Sequence, residues 1–426
     1  MKKALLYVAI FLAGVATAFC QQAAPPDAEL SRIKEANAFY NNKDYPKALS
    51  LYTKAAEENP KNTLGALAHY KCAKVLVATG KDDDAISECS KSIAIDPTMN
   101  KAIAYILRAY LYEKCGKIIE AIFDYSKALI VNPDDKETWV RRQRLLIGMY
   151  VQSTREGVAA FSSGLAAYKG NDDASARKDL DKAALLFAQA AGFNIGDKTA
   201  FAMADATKGL TFQIMTRETL EKMKSASSDK EASGRLASAY YTLAVTNAYY
   251  KKAIPLVKNE KLKNSLNELN SENDKDMETV RPRLAGLKSS AQNYIKGADL
   301  EASCIVNFDA AGLSITIGDN KEAKRILNEN SSMVPDLRKL KSANAEGINY
   351  MTNAYAGLNA IFSSPLTDRS WLKANKKALD RNLDDCLNDL KHAQGAVRNK
   401  ELVNNCSSLS KNVSALKDIL KKVGDK

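Results

Sequence analysis

Small and large apolar residues recur in a fixed ladder near the N-terminus of the sequence. Within each copy, successive positions are 3, 9, 4, 3 and 5 residues apart. Steps of three and four keep side chains on one face of a helix, whereas the longer step marks a turn between two helices. Each copy therefore predicts a pair of helices. The three copies are Ala36, Phe39, Ala48, Tyr52, Ala55 and Pro60, then Ala73, Leu76, Ala85, Cys89, Ser92 and Pro97, then Ala109, Tyr112, Ala121, Tyr125, Ala128 and Pro133.

The predicted turns contain glycines and acidic residues of the kinds that favour the ends and starts of helices. Gly80 and Gly116 each lie five residues before the alanine that opens the second helix, where glycine accepts the positive φ found at helix ends. Asp44, Asp83 and Glu120 place a carboxylate near the start of that helix, which favours its N-terminus. The proline that closes each copy is expected to end the second helix.

The ladder resembles the tetratricopeptide repeat, a family of antiparallel helix pairs. The resemblance covers residues 29–133 as three repeats, which recur every 36 or 37 residues rather than about 34. It implies a right-handed superhelix whose concave groove binds a protein partner or an extended peptide.

The remainder of the chain divides into three predicted regions. Residues 134–300 are a helical region of uncertain type, because no proline interrupts the chain between Pro133 and Pro255. Residues 301–335 are a degenerate repeat with Gly318 in its turn and Pro335 at its end. Residues 336–426 are C-terminal helices. The weaker ladder of the degenerate repeat is Ala311, Ser314, Ala323, Leu327, Asn330 and Pro335.

The C-terminal helices have a heptad-like period. Two apolar seams separated near Gly395 predict an antiparallel hairpin packed on the domain, and self-association through these helices is the alternative. The seams are Leu379, Leu383, Cys386, Leu390, Ala393 and Val397, and Leu402, Cys406, Leu409, Val413, Leu416, Leu420 and Val423. The predicted fold class is all-α: a tetratricopeptide-type superhelix of helical hairpins, an irregular helical domain and a C-terminal helical hairpin.

Residues 1–20 have the pattern of a bacterial-type secretory signal peptide. Two lysines precede a short apolar run from Ala4 to Ala16, and small residues follow. We therefore expect export to the periplasm or secretion. Cys20 is a less favoured lipid-anchoring site, because the bulky Phe19 precedes it. No other segment is apolar for long enough to span a membrane.

Charge and cysteine content refine this picture. The formal net charge of +12 indicates either a solvated basic surface or an anionic partner such as an acidic protein face. Export argues against nucleic acid as that partner. The six cysteines that follow the signal are expected to be free, mostly buried thiols; they are Cys72, Cys89, Cys115, Cys304, Cys386 and Cys406.

Catalytic chemistry has little support in the sequence. His69 and His392 are its two histidines, and no phosphate-binding loop, nucleophile elbow or zinc-protease motif is present. We therefore predict neither an enzyme nor a bound cofactor or metal. An enzyme would need an unrecognised site between Asp134 and Leu300.

The first helix of each repeat is expected to line the groove. Tyrosines offer large contact areas, and Asn or Lys side chains bond to an extended peptide. The candidates are Asn37, Tyr40, Tyr70, Lys74, Ile106 and Tyr110. The family's carboxylate clamp is expected to be absent, because Ile33, Ile103 and Leu107 occupy clamp places. The sequence thus predicts an exported scaffold for protein–protein interaction; a cell-surface glycan-binding protein is the alternative, with Trp139 and Trp371 as its two tryptophans.

Overall fold

The computed structural model describes residues 27–194, 198–287, 291–316, 319–364, 369–398 and 400–422. These residues form helices joined by turns, and no strand occurs among them. The all-α prediction is therefore confirmed. The predicted signal peptide, with Cys20, lies outside the described residues.

The α-helices are numbered here in chain order. They are α1 (Asp27–Asn41), α2 (Tyr45–Glu58), α3 (Thr63–Ala78), α4 (Asp82–Ile95), α5 (Met99–Lys114), α6 (Ile118–Val131), α7 (Lys136–Lys169), α8 (Asp173–Phe193), α9 (Lys198–Met223), α10 (Asp229–Ala253), α11 (Glu260–Leu287), α12 (Ala291–Thr316), α13 (Asn320–Lys339), α14 (Ala345–Phe362), α15 (Arg369–Ala396) and α16 (Lys400–Lys422).

The described residues fall into two compact units, 27–148 and 149–422, with the boundary inside α7. We call them the N-terminal unit and the C-terminal unit. The domain limits predicted at residues 133, 300 and 335 stay predictions.

The N-terminal unit contains three helix pairs: α1 with α2, α3 with α4, and α5 with α6. Each first helix also contacts the first helix of the next pair, α1 with α3 and α3 with α5. The ladder alanines of the second helices, Ala48, Ala85 and Ala121, are fully buried. Tyr52 and Tyr125 fill the spaces beside them. The helix pairs therefore stack as tetratricopeptide-type hairpins.

The turns follow the predicted chemistry in part. Gly80 and Gly116 have φ angles of 77° and 72°, the left-handed conformation that glycine favours. Lys43 adopts the same conformation in the first repeat, with φ of 62°. Asp44 caps α2 by accepting a hydrogen bond from the Lys47 amide, whereas no side chain caps α4 or α6. Each second helix ends two residues before its proline.

A hairpin of the same design opens the C-terminal unit, formed by the end of α7 and by α8. Its ladder is Gly164, Ala167, Ala176, Leu180 and Ala183, with the same steps of 3, 9, 4 and 3 residues. Asn171, in the turn, has a φ of 62°. A Cβ atom on Gly164 would lie 2.8 Å from Leu180 Cγ, so the two helices meet at this glycine. No proline ends α8, which continues to Phe193.

The predicted degenerate repeat corresponds to the end of α12 and to α13. Ala311, Ala323, Leu327 and Asn330 are buried, but Pro335 lies inside α13 and does not end it. That expectation was wrong because the buried Val334 and Leu337 pack on either side of the proline and continue the helix. Gly318 lies outside the described residues.

The C-terminal helices α15 and α16 pack against each other. Their seam residues are buried within the single chain, from Leu379 to Val397 on one side and from Leu402 to Leu416 on the other. The seams thus serve the predicted hairpin, and self-association stays a prediction. All six cysteines in the described residues are free thiols, and Cys115 alone among them is exposed.

Candidate functional site

The candidate groove residues lie on the first helices α1, α3 and α5, which contact one another in succession. The structure brings Tyr40 and Lys74 together, with Lys74 Nζ 5.3 Å from the centroid of the Tyr40 ring. The Tyr40 ring also lies 5.8 Å from that of Tyr45. A lysine over an aromatic face gains a modest cation–π attraction while its ammonium stays open to a further ligand.

Lys71 lies one turn before Lys74 on α3 and is half-buried. Burial lowers the pKa of the Lys71 ammonium, and the positive charge of Lys74 lowers it further. No ion pair joins either ammonium to a carboxylate in the part of the chain that the structure describes. Two neighbouring cations therefore lack a compensating anion at this place.

In the second and third repeats, cations and carboxylates are distributed unequally between the first and the second helix. α3 contains two lysines and no carboxylate, and α5 contains three cations and one carboxylate. α4, in contrast, has four carboxylates and one lysine, and α6 has two carboxylates and one lysine. On α5, however, Arg108 and Lys114 are paired with Asp124 and Asp82. The uncompensated positive charge therefore lies mainly on α3, the first helix of the second repeat.

Two of the candidates serve packing within the repeats. Asn37 Oδ1 accepts a hydrogen bond of 2.7 Å from the Tyr52 hydroxyl. Tyr70 is 9 % exposed and packs against Ala66, Met99 and Ala104. Both therefore have structural partners, and binding through them stays a prediction.

The remaining candidates lie on α5. Ile106 is half-buried beside Tyr105 and Ala128. Tyr110 is 44 % exposed, and the Arg141 guanidinium lies 6.0 Å from its ring centroid. Tyr110 is thus accessible to a partner, although Arg141 lies over its ring, while Ile106 contributes mainly to the interior.

A buried ion pair that the sequence did not reveal holds the third repeat. Arg108 Nε and one terminal nitrogen donate to both oxygens of Asp124 at 2.6 and 2.9 Å. Its other terminal nitrogen donates to Ser90 Oγ at 2.8 Å. In the second repeat, His69 Nδ1 lies 2.7 Å from Glu88 Oε2. These pairs join helices and leave no charge free for a ligand.

A second polar group lies in the C-terminal unit and was also missed. Lys208 on α9 donates to Asp309 on α12 at 2.5 Å, and the buried Tyr249 hydroxyl on α10 donates to the same carboxylate at 2.6 Å. Nearby, Lys252 donates to Asn307 Oδ1 at 3.3 Å, and Asn307 donates to Asn330 on α13 at 3.0 Å. The α9–α13 polar cluster, as we name these residues with Asp205, thus draws on four helices.

Among the described residues, no group of three side chains could hold a metal ion, and none of the helices could cross a membrane. Trp139 is 52 % exposed, while the side chain of Trp371 lies outside the described residues. Glycan binding and the absence of enzymatic activity both stay predictions.

Comparison with curated proteins finds local similarity. The chain is 32 % identical over 108 residues to a DnaJ homolog subfamily C member 7 homolog of Dictyostelium discoideum, covering 25 % of this chain and 20 % of that protein. It is 33 % identical over 135 residues to DnaJ homolog subfamily C member 3 of Mus musculus, covering 32 % and 25 %. The chain thus spans a quarter or less of these relatives. No protein-family model matches.

Comparison with solved structures includes a tetratricopeptide repeat protein from Parabacteroides merdae. That protein is 14 % identical and is matched over 91 % of this chain and all of its own, with a TM-score of 0.26. A score this low does not establish a shared overall arrangement. The assignment of tetratricopeptide-type hairpins depends instead on the buried ladder and the turns described above.

Proposed function

We propose that the chain is a scaffold whose N-terminal repeats bind an acidic, extended segment of a partner protein. The observation that carries this proposal is the pair of uncompensated cations Lys71 and Lys74 on α3, of which Lys74 lies over the Tyr40 ring of α1. Carboxylates of the partner would supply the missing anions, and the aromatic ring would supply contact area. The positive net charge of the chain favours the same class of partner.

Fluorescence polarisation with labelled peptides tests the proposal. One peptide is rich in Asp and Glu, a second carries Asn and Gln at the same places, and both are amidated so that no terminal carboxylate contributes. We expect saturable binding of the acidic peptide and an affinity about tenfold or more lower for the K71M/K74M variant.

The matched control is the K54M/K81M variant. It removes two lysines that are exposed and lie on α2 and in the turn before α4, so the change in net charge is the same. Its affinity should stay within about twofold of the parent. Equal losses in the two variants, or equal affinities for the two peptides, would contradict the proposal.

We further propose that the scaffold acts outside the cytoplasm. The charged N-terminus and the short apolar run of residues 1–20 motivate this. Determining the N-terminal residue of the protein purified from its own cells tests it. A new terminus shortly after Ala18 or Cys20 supports export, and an intact Met1 contradicts it.

A further inference from the structure

The first half of α7 carries exposed apolar side chains. Among the described residues, the four most exposed large apolar side chains, at 52 to 60 %, all lie on α7: Trp139, Val140, Ile147 and Val151. Val140 and Ile147 are seven positions apart and therefore share one face of the helix. We call these two residues the α7 apolar face. Single exposed apolar residues are ordinary, whereas a group of them on one helix is typical of an interaction surface.

Residues 136–148 of α7 belong to the N-terminal unit and continue its series of first helices. α7 begins three residues after Pro133, the proline that closes the third repeat. Leu145 packs against Ala109 on α5 and Tyr125 on α6. α7 therefore follows α1, α3 and α5 as the next helix beside the groove.

The α7 apolar face adjoins the part of the groove that contains Tyr110. Arg144, which lies on the same face between its two residues, forms an ion pair with Glu113 on α5. Glu113 lies one turn after Tyr110, and the Tyr110 side chain is exposed. A segment that is bound at the lysines of α3 and then passes Tyr110 would reach the α7 apolar face next.

The charge around this face favours the same acidic partner. Residues 136–148 contain four cations and one carboxylate. Arg141 and Arg144 are paired with carboxylates, whereas Lys136 and Arg142 form no ion pair among the described residues. An acidic segment is therefore attracted to this part of α7. A second copy of the chain would bring the same excess of cations against the face and would be repelled.

We propose that the partner segment carries, beyond its acidic part, a large apolar anchor that packs on the α7 apolar face. This inference rests on the proposed function and adds a second part to the recognised motif. Helices that pack together lie about 8–10 Å apart, so α7 lies about 16–20 Å from α3 across α5. Because an extended chain advances about 3.3 Å per residue, the anchor is about five or six residues away from the acids.

Fluorescence polarisation with a second set of labelled, amidated peptides tests this proposal. Each peptide joins the acidic block to two leucines through a Gly-Ser spacer of one or about six residues, in both sequence orders. Matched peptides carry Ser in place of Leu. Across the longer spacer, we expect the leucines to raise the affinity about tenfold or more in at least one order. Across the shorter spacer they should add less than about twofold, because they cannot reach α7.

Variants connect this gain to α7. V140Q/I147Q should abolish the gain from the leucines while it binds the acidic block as tightly as the parent. The matched control I119Q/L185Q changes two exposed apolar residues on α6 and α8 and should keep the gain. Because all four positions are exposed, both variants should fold as the parent does.

The proposal is overturned if the leucines add nothing in either order, or if V140Q/I147Q keeps their gain. The proposed function would stand in that case, provided that K71M/K74M still weakens binding of the acidic block. A chain that binds no acidic peptide overturns both.

Other occupants of the α7 apolar face are tested with the protein alone. Sedimentation with phosphatidylserine vesicles measures lipid binding, and sedimentation velocity measures self-association. We expect neither to depend on Val140 and Ile147. Vesicle binding or self-association that V140Q/I147Q abolishes would overturn the proposal, because a lipid surface or a second copy would then cover this face.

Discussion

Arg108 shows how a single charged residue is accommodated inside a repeat. It occupies the place that the buried Cys72 takes in the preceding repeat, and its guanidinium is held by Asp124 and Ser90. The Asp124 side chain is 1 % exposed and that of Arg108 is 16 % exposed. Removing one partner would leave the other charge buried and uncompensated.

The Asp124→Leu substitution should therefore lower the free energy of unfolding by about 3 kcal/mol or more. The double variant R108M/D124L should recover much of this loss, since neither charge remains. Urea denaturation followed by circular dichroism measures both. As a control, K224M breaks the exposed pair with Glu221 and should change stability by less than about 0.5 kcal/mol. A double variant as unstable as the single one would contradict this account.

The ionised carboxylate of Asp205, unlike that of Asp124, is expected to lower the stability of the fold, and this effect depends on pH. Burial raises its pKa to about 6 in the fold, above the value of about 3.9 for an unfolded chain. The folded state therefore binds more protons between these values, and its stability falls as the pH rises through them.

Asp205→Asn should raise the free energy of unfolding by about 2 kcal/mol at pH 7.5. The gain should disappear near pH 4, where the Asp205 carboxyl is protonated in the fold. Chemical denaturation of parent and variant at the two pH values measures this. A gain that is equal at both pH values would show that the charge of Asp205 is not its cause.

At the level of helices, the ladder of small residues predicted the packing wherever turn residues and prolines marked its register. The hairpin of α7 and α8 lacks the terminal proline, and Asn171 takes the place of the turn glycine. In this hairpin Ala183, Phe187 and Ala190 also have the steps of a second helix, but they lie seven residues beyond the register that Ala176 defines. Gly164, twelve residues before Ala176, is the sequence signal that selects the observed register.

Gly164 should accordingly tolerate no side chain. Gly164→Ala places a Cβ 2.8 Å from Leu180 Cγ and 3.2 Å from the Ala176 carbonyl oxygen, and we expect a loss of about 1–3 kcal/mol in unfolding free energy. Gly234→Ala, on α10 where nothing lies within 4 Å of the added Cβ, should instead gain about 1 kcal/mol. Thermal and urea unfolding distinguish the two. A stabilised Gly164→Ala variant would show that α7 and α8 do not meet at this glycine.

The polar sites were harder to predict than the helices, because their members are far apart in sequence. Lys208 and Asp309, which form an ion pair, are 101 positions apart in the sequence, and no local periodicity connects them. Tyr40 and Lys74, which lie in contact, could both be proposed for the groove from the sequence, because the repeat relates α1 to α3. The repeat also suggested Tyr70 for the groove, but the adjoining Met99 and Ala104 bury it. Periodicity identifies equivalent positions, whereas burial depends on the neighbouring residues at each one.

At the scale of the whole molecule, the net charge of +12 acts differently on the groove lysines and on the α9–α13 polar cluster. In the proposed complex, Lys71 and Lys74 would meet a charged peptide in a groove that solvent reaches, and the long-range attraction of the basic chain would add to the encounter. Asp205 and Lys252 are half-buried beside the bonded Lys208 and Asp309, where short-range contacts dominate. Salt screens the first kind of interaction much more than the second.

Raising the ionic strength from about 0.1 M to about 1 M shortens the Debye length from about 10 Å to about 3 Å. Affinity for the acidic peptide should therefore fall by about tenfold or more. Titrations of the peptide across one salt series measure this. An affinity that does not change with salt would contradict ionic recognition of the peptide by Lys71 and Lys74.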